Sequence, residues 1–421
     1  MKTLKYMLLA AITTVGLGSC DSLLEENPNY SQSDNVVFST AANAEIALMG
    51  CYSYLAANAA YGQMWQEMPI VASGLTWAQR SGGDNSIGQL ATLPRNTFTS
   101  AAWNGMYKAA TECNAFIASM EKSALPDSVK TQHIGEAKFI RALAYYNLAS
   151  VFGAVPLKLV ASTSDGISST RTPLNEVFSQ VIKDLEAAAL TKETSADGRA
   201  NAWAAKAMLG KVYYKLAMLD YHCEENLQQA KKYFDEVYNA KKYKLSDSFA
   251  KLFQGWVTKS PESIFQVNFI PNSSSNAYHR GSNRFSPNAS TSGINWGTYR
   301  VLQYAYDLQN GIYPNDPRLE VNYLSKWRSR SGNNQVNPRP QVGKTLCAND
   351  SSYCYPYATY TSKTDTVVGS KKVYQTKVVK VPYELFDDPT CPQMDKLLSY
   401  KNSNALLQAT INGMPNLFSK V

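Results

Sequence analysis

The sequence predicts a mainly α-helical protein, built from tetratricopeptide-like helical hairpins with long loops and a few short strands. Three observations carry this reading. In the stretch His133 to Leu157, the residues Ala137, Ile140, Ala144, Leu148 and Val151 fall at steps of three and four, on one side of a helix. A second copy of that helix begins 68 residues later: AKAMLGKVYYKLA from Ala205 matches AKFIRALAYYNLA from Ala137 at six of thirteen positions. The offset is twice the roughly 34-residue period of a tetratricopeptide hairpin. Finally, strand-like alternation is confined to the chain beyond Gly255.

In chain order, Lys2 and Lys5 precede an apolar run from Met7 to Leu17 that is too short to span a bilayer as a mature helix. Residues 1–19 therefore read as an export signal. Leu17-Gly18-Ser19-Cys20 has the form of a lipobox, in which the Cys20 sulfur takes a diacylglycerol and becomes the new N-terminus. Residues 20–35, polar and proline-containing, read as a tether from that lipid, and residues 36–421 as one domain, irregular and loop-rich from about 255.

Helix begins near Ser39-Thr40, a capping pair, with Leu48, Cys51 and Leu55 on one face. Tyr61 to Pro94 breaks the pattern and reads as a long loop holding Trp65, Trp77, Arg80 and Ser81-Gly82-Gly83-Asp84-Asn85. Helix resumes from Ala101 to Ala118. In the central helix Phe139, Leu143 and Tyr146 widen the stripe, leaving Glu136, Lys138, Arg141 and Asn147 for solvent or polar partners, and Gly153 and Pro156 end it. Further helices are expected from Pro173 to Ala189, from Ala202 and from Leu227. The second copy carries Leu209-Gly210-x-x-Tyr213 and then Ala230-x-x-x-Phe234, with about eight extra residues around Tyr221 to Gln228, which marks diverged hairpins.

Beyond Gly255, Glu262 to Ile270 alternates and Lys371 to Val381 is valine-rich, so both are expected as strands. Pro271 to Arg300 is crowded with Ser, Asn and Gly, yet carries Tyr278, Arg280, Arg284, Trp296 and Tyr299. Cys51, Cys113 and Cys223 lie in helical patterns and are expected to pack as small apolar groups, whereas Cys347 and Cys354 flank a tyrosine-rich loop where an exported chain could bridge them or leave them free.

The net charge is +8, or +6 once Lys2 and Lys5 leave with the signal. No cluster of Lys and Arg with interleaved aromatics tracks a phosphate backbone, which argues against nucleic acid as a partner. Gly343-Lys344-Thr345 lacks the earlier glycine of a phosphate loop, since Pro338 stands there. Ser119-Met120-Glu121-Lys122 is followed by neither of the partner motifs that a serine acyl-enzyme needs. His133, His222 and His279 pair with no ligand at zinc spacing, and Glu224-Glu225 and Asp387-Asp388 are adjacent and point apart.

These failures leave binding. A sugar presents apolar C–H faces that lie on Trp or Tyr, and hydroxyls that need fixed polar groups. Trp77, Arg80, Asp84 and Asn85 in the first loop region, and Tyr278, Arg280 and Trp296 in the second, supply that set. Trp65, Trp103, Trp203 and Trp256 lie in or beside helical patterns and are read as core.

The same residues carry a resemblance. GEAKFIRALAYYNLASVFGAVPL resembles the EAxFxRAxxYxxLxxxFGxVPL segment of the SusD/RagB family of surface glycan-binding lipoproteins. Four further segments fit in the same order: Trp103-x-x-x-Tyr107 with Asn114-Ala115-Phe116-Ile117, Arg171-Thr172-Pro173 through Asp184-Leu185-Glu186, Gly198-Arg199-Ala200 with Ala204-Ala205-Lys206, and Pro261-Glu262-Ser263-Ile264-Phe265. The resemblance implies a SusD-like α superhelix without cofactor or catalysis. It also implies a lipid-anchored protein at the outer face of the outer membrane that hands oligosaccharide to a SusC-like TonB-dependent transporter. Members tied to peptide uptake offer an alternative ligand class. The family's closing segments, of the RYAExxLxxAEA, EGxRxxDL and NPGY kind, have no counterpart here, so the chain is expected to be truncated or frame-shifted at its C-terminus.

Overall fold

The computed structural model describes residues 34–78, 83–92, 95–160, 169–219, 223–249, 252, 260–269, 299–301, 303–324, 326–328, 345–347, 357–368, 371–382 and 410–411. Its body is a run of helices: α1 (Asp34–Val37), α2 (Ala41–Leu55), α3 (Met64–Ala72), α4 (Gly83–Gly88), α5 (Thr97–Lys122), α6 (Asp127–Phe152), α7 (Leu174–Ala188), α8 (Ala202–Met218) and α9 (Cys223–Asn239), with β1 (Thr76–Ala78) between α3 and α4. Each long helix packs on the next in space, α2 on α5, α5 on α6, α6 on α7, α7 on α8 and α8 on α9. The expected helical hairpins are present. No helix among the described residues is long and apolar enough to cross a membrane.

Helix starts follow their side chains. Thr40 Oγ1 accepts from the Asn43 amide at 3.2 Å, Asn96 Oδ1 from Phe98 at 2.9 Å, and Asn201 Oδ1 from Ala204 at 2.8 Å, satisfying amides that have no partner inside the helix. Gly153, at φ +73°, stops α6 with a backbone that a side chain would strain. The stripe read on α6 is buried through Leu148, but Val151 is 52% exposed. Phe152, four residues after Leu148, continues the line instead, partly buried against the core with its ring edge-on to Trp65 and Trp103. In the second repeat a Cβ on Gly210 would lie 2.6 Å from the Phe234 ring, so the glycine of the tetratricopeptide pattern is what lets α9 close on α8.

Four other expectations are corrected. Tyr61 to Pro94 is no plain loop, since α3, β1 and α4 lie within it. Of the expected strand Glu262 to Ile270, the described residues 262–269 form no strand beyond an isolated bridge; Phe265, Gln266 and Val267 are all buried, so the segment is enclosed on both sides, and Phe265 sits 4.9 Å from Phe139, ring centre to ring centre. Cys51 and Cys113 are buried, whereas Cys223 opens α9 and is exposed. Trp203 is only partly buried and walls a cleft described below.

Past the helices come β2 (Tyr299–Val301), α10 (Gln303–Ile312), α11 (Arg318–Asn322), β3 (Tyr323–Leu324), β4 (Lys326–Arg328), β5 (Thr345–Cys347), β6 (Tyr357–Val368), β7 (Lys371–Pro382) and β8 (Thr410–Ile411). They pair antiparallel, β1 with β2, β3 with β8, β4 with β5 and β6 with β7. The valine-rich segment expected as a strand is β7. Cys347 ends β5, and Cys354 lies outside the described residues.

Candidate functional site

Glu136, Arg141 and Asn147, polar residues of α6, are taken by the body of the protein. Arg141 donates from Nε and Nη2 to both carboxylate oxygens of Asp184, each at 2.7 Å, and from Nη1 to Asn114 at 2.8 Å, joining α5, α6 and α7. Tyr145 donates to the Lys158 carbonyl at 2.7 Å and accepts from the Lys158 amide at 2.8 Å, which seats the chain leaving α6; burial pushes its phenol up to about 12.

Glu136, one turn earlier, receives Arg199 Nε at 2.6 Å, Arg199 Nη2 at 2.7 Å and the Tyr52 hydroxyl at 2.7 Å. Arg199 also pairs with Glu45, whose other face meets His133 at 3.0 Å. Burial works against the Arg199 cation, but Glu136 and Glu45 together outweigh it and hold its pKa above the usual arginine value. Buried pairs of this kind fix the relative positions of helices. They leave neither arginine free for a ligand.

A cleft of about 430 Å³ lies beside this second cluster, between the loop from Glu193 to Asn201 and the segment from Ser260 to Gln266. Trp203 forms part of its wall, with Lys206 Nζ 4.7 Å above the ring. Trp65, by contrast, is core as expected, its Nε1 donating to the Ala102 carbonyl at 3.1 Å. Trp103 is partly buried against the core, 5.1 Å from Phe152. Trp256 lies outside the described residues.

Thr76–Ala78 of the first aromatic region pair with Tyr299–Val301 in the ladder of β1 and β2. Thr76 faces Val301, Trp77 faces Arg300 and Ala78 faces Tyr299. Residues far apart in sequence are thereby placed side by side on α3 and α4, and α3 packs in turn on α5. Trp77 is thus at the seam, and Trp296 stands three residues before β2 in the chain. Asp84 is placed differently from expectation. It is only 5% exposed, and its Oδ2 lies 3.0 Å from the Tyr299 hydroxyl, so its carboxylate serves the protein's own tyrosine. Asn85 lies on α4; Arg80, Tyr278, Arg280, Trp296 and the lipidation candidate Cys20 lie outside the described residues. Glu67 and Gln63 were not legible as part of this seam, because a buried polar pair at the start of a short helix carries no sequence signature. Among the described residues no group of three or more His, Cys, Asp or Glu could hold a metal ion.

Residues 24–214 match the sequence model of a SusD-like family described as starch-binding and associating with the outer membrane. Over these residues the chain is similar to the SusD-like family. A SusD-like protein of Bacteroides ovatus is 30% identical over 195 residues, which cover 44% of this chain and 35% of that relative. SusD-like protein P25 of Formosa agariphila is 22% identical over 267 residues, 60% of this chain and 49% of the relative. This chain spans between 35% and 49% of the length of the curated SusD-like relatives it matches.

Solved structures show the same fold. A SusD homolog from Bacteroides thetaiotaomicron superposes with a TM-score of 0.63 at 19% identity, covering 71% of this chain and 61% of that one. A laminarin-binding SusD-like protein superposes at 0.58 with 22% identity, covering 68% and 67%. A structure with a xylogluco-oligosaccharide superposes at 0.57 with 22% identity, covering 66% and 57%. At these identities the likeness is one of fold.

Proposed function

We propose that this chain is a non-catalytic lipoprotein of the outer membrane that binds oligosaccharide at the cell surface and delivers it to a SusC-like TonB-dependent transporter. The observation that carries the reading is the β1–β2 ladder. It pairs the strand that carries Trp77 with Tyr299–Val301, over a helical body that matches a family described as starch-binding. In this reading Trp77, Tyr278 and Trp296 stack on sugar faces, while Arg80, Arg280 and Asn85 bond to hydroxyls. Asp84 acts behind them, on Tyr299. The sugar class draws support from the relatives, of which one is named for laminarin and another holds a xylogluco-oligosaccharide. Cys20 carries the lipid, and residues 20–35 give the domain its reach from the membrane.

A glycan array run beside a peptide panel tests the ligand class. Binding to oligosaccharides with no response to peptides is the expected result. Binding confined to peptides would overturn the reading.

A further inference from the structure

Tyr299 joins three elements that precede it by more than 200 residues. Its backbone lies on β2 opposite Ala78 of β1, and its side chain is 1% exposed. The hydroxyl reaches Glu67 Oε2 on α3 at 2.6 Å and Asp84 Oδ2 on α4 at 3.0 Å, partners 232 and 215 residues away. Glu67 Oε2 also accepts from Gln63 Nε2 at 3.1 Å, the cap residue of the same helix, which orients the carboxylate locally.

The ladder of β1 and β2 has three residue pairs. Two strands of that length are marginal alone, and closing so long a loop adds an entropic cost. Burial of the ring favours the approach but is insensitive to direction. A phenol O–H aimed at a carboxylate is a charge-assisted bond with a defined geometry, and in a buried setting it holds one register against a slip.

We propose that Tyr299 is the positioning residue of the binding face: its hydroxyl, seated between Glu67 and Asp84, holds β2 in register on β1 and so fixes the strand that carries Trp77. The inference rests on the sugar-binding reading above. It assigns to Asp84 and Glu67 a part in binding that involves no contact with ligand.

The test is the variant Tyr299→Phe in the full chain, read in two ways. Site-resolved amide exchange compares residues 76–78 and 299–301 with the amides of α6. Titration with laminari- and xylogluco-oligosaccharides gives the affinity. Loss of the hydroxyl should speed exchange in the ladder about five- to tenfold, leave α6 unchanged, and weaken oligosaccharide binding by a similar factor. Glu67→Gln, which keeps the shape and an acceptor oxygen, should fall between wild type and Tyr299→Phe in both readings. Unchanged ladder exchange would overturn the clamp, and faster ladder exchange with unchanged affinity would overturn its role in binding. If Tyr299→Phe fails to fold, Glu67→Gln carries the same comparison. Should wild type bind none of these oligosaccharides, the sugar reading falls, and the clamp stands or falls on the exchange alone.

Discussion

Arg141 and Asp184 face each other across α6 and α7 with both guanidinium-to-carboxylate distances at 2.7 Å, and their side chains are 7% and 2% exposed. Burial pulls the arginine pKa down, but the paired carboxylate more than offsets it, and the net shift is upward. Removing one partner strands the other charge in the core. Arg141→Ala is therefore expected to destabilise the fold by about 3 to 5 kcal/mol, as broken buried pairs do. Urea unfolding followed by circular dichroism measures it, and a loss below about 1 kcal/mol, typical of surface pairs, would contradict this account.

Two glycines in neighbouring helices should respond in opposite ways to alanine. Gly50 lies exposed on α2 with nothing within 4 Å of an added methyl, so Gly50→Ala should stabilise by about 0.5 to 1 kcal/mol through helix propensity. On α5, a methyl at Gly105 would overlap the backbone carbonyl of Ala59, where rigid chain cannot yield as a flexible side chain would. Gly105→Ala should cost about 1 to 3 kcal/mol. Melting curves of the two variants should bracket wild type; a shift of the same sign in both would contradict the packing.

Alkaline pH should weaken the protein through its buried tyrosines. Burial pushes the phenols of Tyr61 and Tyr145 up to about 12, with the Tyr61–Asn147 bond and the Tyr145–Lys158 bond opposing the shift only in part. A phenol whose pKa rises on folding keeps its proton in the native state while the unfolded chain releases it. The stabilising contribution is therefore complete below the ordinary value near 10, and is lost as pH rises from about 10 toward 12. Each tyrosine contributes on the order of 2 kcal/mol to this loss. Phenolate absorbance should lag behind that of free tyrosine until the protein unfolds; full titration near the ordinary value, with native circular dichroism, would contradict the burial.

The lipid anchor is a separate expectation. Mass spectrometry of the mature N-terminus from membrane extracts should find a diacylglycerol-modified cysteine at position 20. An unmodified terminus on protein free in the periplasm would contradict it.

The helical body was legible in the sequence because its signals are local and repeated. The period-3.6 stripe of α6, its echo in α8, and the capping residue Thr40 each act within a few residues. Helix α3 was hidden for a physical reason: Trp65, Gln66, Glu67, Met68, Ile70 and Val71 are all buried, so no polar face remains to mark a period, and Pro69 sits inside it. The alternation of Phe265 and Val267 misled because Gln266 between them is buried as well. In the candidate site, the pairing of Thr76–Ala78 with Tyr299–Val301 was not legible. Strands of three residues have no readable period, and the bond from Tyr299 to Asp84 depends on a closure that only the folded chain reveals.

The most direct test of the account is calorimetric titration of the purified protein with laminari- and xylogluco-oligosaccharides, comparing wild type with Trp77→Ala and Trp296→Ala. Wild type should bind at least one of them. Each variant should keep its helical circular dichroism and lose about 0.5 to 1.5 kcal/mol of stacking, roughly a three- to tenfold weaker affinity. Equal affinity in all three proteins, or no binding by wild type, would contradict the proposal that the joined aromatic regions form an oligosaccharide site.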